Sequence, residues 1–416
     1  MPFPGWLTGD PSAPGTSQLL MKLELGWNEY AQVNGTSPLY LWDCTGILAP
    51  RHMRLRACCP LYRSKANVES SMREFWYPGR VIALKTVATP EVDVGARPVI
   101  AAIGTFDGLH LGHRQLFETA LKIKAGTGLP VMVIGFHPHP KSLVKPGGDY
   151  ESLLTPMEEK QALLEDMGID YFWPIHFTRE MSQLSPREFT RMYLRDKIQA
   201  DHVVCGFNFT FGYKAEGNPQ VLHQIGQDMG FEVSVVPPYT IDGEVVSSTR
   251  IRRLLSEGDV ERAAVFLDRP YCIYGDATGD NETQSQAGMP VFRLSFPQDK
   301  FLPKPGVYAV WARTSRFLKP AVASLRTNLT SGETRAVLQV YVGAIPASRA
   351  EGMQLFLMKH IREERQFELG KQAGTQIKVD YEAALAALKP QGQDFHDKGL
   401  FTRISAYDKI LSADIP

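Results

Sequence analysis

Apolar runs and amphipathic stretches alternate through the middle of the chain. VIAAIGTF (99–106) is β-branched and apolar, too short for a buried helix, and ended by Gly108. HRQLFETALKIKA (113–125) sets Leu116, Ala120 and Leu121 at helical spacing. A second apolar strand, VMVIGF (131–136), stops at Pro138 and Pro140. TPMEEKQALLEDMG predicts a helix with Thr155 as N-cap, Pro156 at the first helical position, Glu158 three residues after the cap and a stop at Gly168. DYFWPIHF is a third strand, and SPREFTRMYLRDKI repeats the helix-start pattern with Ser185, Pro186 and Glu188. HVVCGF (202–207) is a fourth strand, residues 219–229 are helical, and FEVSVVPPY supplies a fifth strand. Residues 247–267, SSTRIRRLLSEGDVERAAVFL, read as a helix in two pieces around Gly258. Apolar strands interleaved with amphipathic helices predict an α/β domain, its parallel sheet covered on both faces. Ligands of such sheets sit at the carboxyl ends of the strands.

Outside this stretch the pattern changes. Residues 1–71 are rich in Gly, Pro and Ser, hold Cys44, Cys58 and Cys59, and follow neither a 2.0 nor a 3.6 period. They read as a poorly ordered extension. MREFWYPGRVIALKTV, from Met72, starts as a folded domain does, which suggests Met72 as a physiological start. From residue 271 on, short runs such as GVYAVWA (306–312) and AVLQVYV (336–342) look like antiparallel strands, with a late helix at 377–389. The expected division is therefore 1–71, 72–270 and 271–416, the last a small β-barrel or sandwich with a terminal helix.

Composition narrows the function. The 416 residues hold 45 Lys plus Arg against 45 Asp plus Glu, so any anion site must be local, and bulk nucleic-acid binding is not expected. No run of about 18 apolar residues predicts a membrane span. The first residues, MPFPGWLTGDPSAPG, carry neither the basic start nor the apolar segment of a secretory signal. Five cysteines without a CxxC pair argue against a disulfide framework or structural zinc, which makes the reducing cytoplasm the default compartment.

The chemistry concentrates at strand ends. Gly104-Thr105-Phe106-Asp107-Gly108-Leu109-His110-Leu111-Gly112-His113 joins the first strand to the first helix. Gly108 and Gly112 let the backbone approach a bulky anion, the helix start offers free N–H groups, and His110 and His113 can donate to phosphate oxygens. A histidine pair at i and i+3 is otherwise often a surface feature; its place after an apolar strand favours the functional reading. Phe136-His137-Pro138-His139-Pro140 closes the second strand with two rigid prolines, or is merely a stiff turn. Gly206-Phe207-Asn208-Phe209-Thr210-Phe211-Gly212 follows the fourth strand. Read as a strand edge, it puts the three aromatics on one side, suited to a planar aromatic ring, and Asn208 and Thr210 on the other. Ser247, Ser248 and Thr249 open a helix with Arg250 and Arg252 close behind, an anion site or simple capping.

GTFDGLHLGH resembles the signature of the nucleotidylyltransferase superfamily, and more narrowly that of the bacterial FAD synthetase family, the bifunctional riboflavin kinase/FMN adenylyltransferases. The likeness continues in order through FHPHP, VVCGFNFTFGYKAEGN and VVSSTRIRRLLSEGDVERAAVFLDRPYCIYG. It implies a Rossmann-like nucleotidylyltransferase domain followed by a riboflavin-kinase-like β-barrel, with ATP and FMN as substrates and Mg²⁺ bridging phosphates. It assigns ATP phosphates to His110 and His113, the adenosine pocket to Gly104 and Phe106 with Thr105 beside them, and the flavin phosphate side to Phe136, His137 and Pro138. Phe207 and Phe209 would wall an isoalloxazine or adenine ring, and Asn208, counted with His110, His113 and Arg252 as catalytic, would hydrogen-bond phosphate or flavin. Ser247, Ser248, Thr249 and Arg250 or Arg252 would bind phosphate opposite the histidines, Arg252 being the better match. No protein metal cage is implied.

The barrel departs from the family. The expected GxPTAN motif reads Gly288-Met289-Pro290-Val291-Phe292-Arg293, and the position of the catalytic glutamate falls on Gln339. A glutamine amide cannot accept a proton as a carboxylate does. The kinase domain is therefore expected to keep its scaffold and lose its chemistry. A fully bifunctional enzyme, another HxGH nucleotidylyltransferase, and a non-enzymatic flavin or nucleotide regulator are the alternatives. The oligomeric state is not legible.

Overall fold

The computed structural model describes residues 19–21, 31–33, 84–87, 98–140, 152–279, 288–330, 333–343, 351–364 and 370–397. The chain divides into a unit spanning residues 1–81 and one spanning 82–416. In the first, β1 (Leu19–Met21) pairs antiparallel with β2 (Ala31–Val33). Most of the predicted N-terminal extension, and the Met72 start, lie outside the described residues.

The second unit opens with a six-stranded sheet. Its strands are β3 (Lys85–Thr86), β4 (Val99–Ile103), β5 (Val131–His137), β6 (Tyr171–His176), β7 (Ala200–Gly206) and β8 (Glu232–Val236), ordered β3-β6-β5-β4-β7-β8 and parallel throughout. The two-residue β3 is a strand that the apolar pattern did not predict, because it is too short to show a period. All of β4 is buried. Its alternation decides which face each residue serves. Ile100 and Ala102 pack with Leu116, Phe117 and Ala120 of α1 (Leu111–Thr127) and with Ala162 and Leu163 of α2 (Met157–Asp166). Val99, Ala101 and Ile103 pack on the other face with Leu194 and with Leu222 of α4 (Pro219–Met229). Between them, α3 (Pro186–Phe189) has the predicted capping box of Ser185 and Glu188 and runs on as a π-helical stretch, Thr190–Lys197.

The start of α2 corrects one expectation. Pro156 occupies the cap position, and Thr155 makes no helix cap. The Thr155 hydroxyl instead accepts the Gly108 N–H at 2.9 Å, so a tertiary bond has taken the local one's place. After the hairpin of β9 (Thr240–Ile241) and β10 (Glu244–Val245) come α5 (Ser248–Glu257) and α6 (Val260–Leu267), two pieces flanking Gly258 as predicted.

The remainder is a closed antiparallel barrel. It contains β11 (Tyr271–Gly279), β12 (Val291–Ser295), β13 (Gly306–Arg313), β14 (Leu318–Thr330), β15 (Glu333–Val342) and β16 (Glu351–Glu363), ordered β11-β12-β15-β14-β13-β16. Phe292, Leu294, Tyr308, Val310, Leu338, Val340 and Leu355 share one core with Ile251, Leu254 and Leu255 of α5 and Val260, Ala263 and Phe266 of α6. The terminal helix α7 (Gly370–Asp397) lays Ala384 and Leu388 on the opposite barrel face, against Val291, Val307, Val322 and Tyr341.

Candidate active site

The strand order places a topological switch beside β4. β5 and β6 extend the sheet on one side and β7 and β8 on the other, so a crevice opens between the carboxyl ends of β4 and β7. The predicted motifs converge there.

The loop leaving β4 is bent hard. Phe106 (φ 49°), Gly108 (φ 88°) and Leu109 (φ 42°) all lie in the left-handed region, which bulky side chains disfavour. Surrounding bonds must over-determine such a loop. A Cβ at Gly108 would stand 2.9 Å from Leu154 Cδ1, and at its φ of 88° any side chain is strained. Asp107, 1% exposed, accepts from the backbone N–H groups of Leu154 (3.2 Å) and Thr155 (3.1 Å) and forms an ion pair with Arg252. Arg252 also donates to the Ser152 carbonyl at 3.0 Å. Ser248 Oγ donates to the Asp107 carbonyl at 2.8 Å, and Arg269 donates to the carbonyls of Gly108 (2.8 Å) and Leu109 (3.3 Å).

The loop delivers two histidines to one place. His110 is the extended residue before α1 and His113 the third residue within it. Their rings stack with centroids 3.7 Å apart and 18° between planes. Burial lowers the His110 pKa to about 4, and burial together with the neighbouring His110 and Lys160 holds His113 well below its usual range. Both are neutral at pH 7. Both Nδ1 atoms are buried and make no hydrogen bond among the described residues. Buried polar atoms are normally paired, so two orphans on stacked rings mark a place where a ligand completes the bonding.

Phe106, expected to line the adenosine pocket, is buried. Its ring is 1% exposed, edge-on to His113 at 5.2 Å and close on Phe117 at 4.9 Å. A Cβ on Gly104 would meet it at 3.0 Å. It is a floor under the histidine because the positive φ turns it inward. Lys160, which the sequence hid among the charges of α2, donates to the Thr105 carbonyl at 3.3 Å, and burial lowers its pKa. Gly112 lies under the His110 ring, 3.2 Å from Cε1 by the same Cβ test.

The other motifs surround this centre unequally. Phe136 is partly buried and edge-on to Phe177 at 6.0 Å; His137 is exposed, and the His137–Pro138 peptide is cis. The aromatics of 207–211 are not on one side as predicted. The chain turns instead of running extended, with Phe209 N–H donating to the Gly206 carbonyl at 3.0 Å. Phe207 is 45% exposed, Asn208 is exposed, and Phe209 stacks on buried Phe211 at 5.3 Å. Ser247 caps α5 by accepting the Arg250 N–H at 3.2 Å, and Thr249 is exposed. Arg250 pairs with Glu244 at 2.5 Å. Both arginines expected to clamp phosphate are therefore engaged by carboxylates of the chain itself.

The FAD synthetase family model matches residues 94–250, and the riboflavin kinase model matches 267–388. A bifunctional riboflavin kinase/FMN adenylyltransferase of Listeria monocytogenes is 34% identical over 244 residues, covering 58% of this chain and 77% of the relative. The chain belongs to this family. Its Bacillus subtilis member, with the same name, is 29% identical over 290 residues, 69% of this chain and 91% of the relative. A solved structure described as a macrolide-efflux protein from Streptococcus pneumoniae superposes with a TM-score of 0.66 at 26% identity, covering 72% of this chain and 99% of that one.

Within the barrel motif burial varies: Val291 and Phe292 are buried, Met289 and Pro290 half-buried, and Arg293 exposed. Val291, 4% exposed, lies in the core under α7. Arg293 and Gln339 stand opposite each other across β12 and β15, and Tyr341 Oη lies 3.4 Å from Gln339 Oε1.

Proposed function

We propose that this chain is an FAD synthetase, an enzyme that transfers AMP from ATP to FMN. The observation that carries the reading is the pair of stacked, neutral histidines with open Nδ1 atoms at the switch point of the sheet. An oxygen of the FMN phosphate attacks the α-phosphorus of ATP in line. The new P–O bond forms as the bond to pyrophosphate breaks, and no protein nucleophile is needed. Catalysis is positioning and charge stabilisation. His110 and His113 donate to the phosphoryl oxygens. Neutral rings do this without releasing a proton into the site. The hydroxyls of Ser247 and Thr249 and the backbone N–H groups of Ser248 and Thr249 at the start of α5 receive phosphate oxygens, with Arg250 beside them. Asp107 and Arg252 hold the loop in place. Phe207 and Asn208, exposed at the end of β7, meet the flavin, with Phe136, His137 and Pro138 on the far wall. Gly104 and Thr105 border the adenosine.

Among the described residues, no group of three or more His, Cys, Asp or Glu could hold a metal ion. Mg²⁺ enters this reading with the nucleotide substrate, bridging its phosphates. Residues 72–270 carry adenylyl transfer and 271–416 form the barrel. The reaction is placed in the cytoplasm, with small molecules as the partners.

The match of the riboflavin kinase model favours a second reading in which both activities persist. Purified protein with ATP and Mg²⁺, supplied in parallel with riboflavin and with FMN, separates the two by chromatography. FAD from FMN alone is expected. FMN from riboflavin would show that Val291, Arg293 and Gln339 do not abolish phosphorylation, and no product from either would overturn the enzyme reading.

A further inference from the structure

The histidine loop rests on a segment that the barrel holds. Asp107 takes the N–H groups of Leu154 and Thr155, and the Leu154 carbonyl accepts Lys300 Nζ at 2.7 Å. A single peptide residue thus joins the loop to the barrel. Lys300 lies between β12 and β13, its side chain 0% exposed, and its ammonium also meets Glu159 Oε2 of α2 at 2.6 Å. The Tyr271 ring lies 4.5 Å from that ammonium. Backbone bonds fix the same contact: Leu153 N–H donates to the Asp299 carbonyl at 2.5 Å, and Phe301 N–H to the Leu153 carbonyl at 2.8 Å. The Phe301 ring stands 5.7 Å from the Arg252 guanidinium, the partner of Asp107.

A buried ion pair contributes little more stability than apolar residues of the same volume. What Lys300 supplies here is geometry. Its ammonium fixes the Leu154 peptide, whose N–H then fixes the carboxylate that anchors the bend before His110.

We propose that the barrel is part of the architecture of the adenylyl-transfer site, with Lys300 as a positioning residue acting through Leu154 and Asp107. This rests on the FAD synthetase reading. It also gives the barrel a reason to persist once its kinase residues have been replaced.

The test uses the full chain with two variants, Lys300→Met and Lys300→Met/Glu159→Met. The single variant removes the ammonium that the buried Glu159 carboxylate meets and is expected to melt lower. The double variant removes both charges and is expected to recover most of the melting temperature while leaving the Leu154 carbonyl without its donor. In the double variant, kcat for FAD formation should stay about tenfold or more below wild type. KM for FMN should stay within about twofold of wild type, because the flavin contacts are elsewhere. Amide hydrogen exchange should quicken at residues 104–110 and not in β5 or β7. Recovery of kcat together with melting temperature, and wild-type exchange at 104–110, would overturn the proposal. A wild-type protein that makes no FAD would overturn the functional reading instead, and the exchange comparison would still decide whether Lys300 holds the loop.

Discussion

The loop after β4 and the paired strands β12 and β15 both carry family motifs, and they have met different fates. In the loop, the Gly108 N–H and the carbonyls of Thr105, Asp107, Gly108 and Leu109 are held by other elements, yet the two histidine Nδ1 atoms are buried without a hydrogen bond. In the barrel, Val291 is packed beneath α7, and Gln339 stands opposite Arg293 on the paired strand. A scaffold can be retained for packing alone, because an apolar residue of suitable volume satisfies it. A phosphate site keeps polar atoms buried without partners, which is costly unless a ligand repays it.

The largest expected effect comes from the anchor of the loop. Asp107→Asn removes one charge of the buried Asp107–Arg252 ion pair and should lower unfolding stability by about 3–5 kcal/mol, measured by urea denaturation. A change under about 1 kcal/mol would mean that the loop does not depend on this pair. His113→Ala comes next, with kcat for adenylyl transfer reduced by roughly 10²–10³ and the fold intact. A rate near wild type would remove the histidine from the reaction and erase the contrast with the barrel.

The pH dependence is of similar size. His110 takes up its proton near pH 4 when folded and near 6.5 when unfolded. Below 6.5 the unfolded chain therefore binds more protons, so this stability is fully present above pH 6.5 and is lost as pH falls through 4. The loss amounts to about 3 kcal/mol, followed by thermal melting between pH 7 and 4. Melting in His110→Asn that keeps the wild-type pH slope would show that another group is responsible. The smallest effect belongs to Asn208→Ala. The residue is exposed, so stability should move by no more than about 0.5 kcal/mol while turnover falls. A large drop in melting temperature with normal turnover would recast Asn208 as structural.

Much of this was legible because it is local. Ser185 with Glu188 and the break at Gly258 depend on residues three or four apart, and the structure has them as read. Where a distant partner intervened, local reading failed. Thr155 looks like a helix cap, but the Gly108 N–H, 47 residues away in sequence, claims its hydroxyl. Phe207, Phe209 and Phe211 have strand spacing, but the chain turns at Gly206 and sends them different ways. Glu159 and Lys160 look like solvated charges in a polar helix. They are buried because their partners, Lys300 and the Thr105 carbonyl, arrive from other elements.

By itself the sequence determined the alternation of strands and helices, the change to antiparallel strands near residue 271, and the identity of the groups able to bind phosphate. These follow from periodicity and side-chain chemistry, which are properties of neighbours along the chain. Only the tertiary structure decided that the crevice opens between β4 and β7, that His110 and His113 are stacked and neutral, and that Arg252 faces Asp107. It also decided that the barrel reaches back to the histidine loop through Lys300. Burial and strand order arise from contacts made across more than a hundred residues, and no local pattern encodes which of them form.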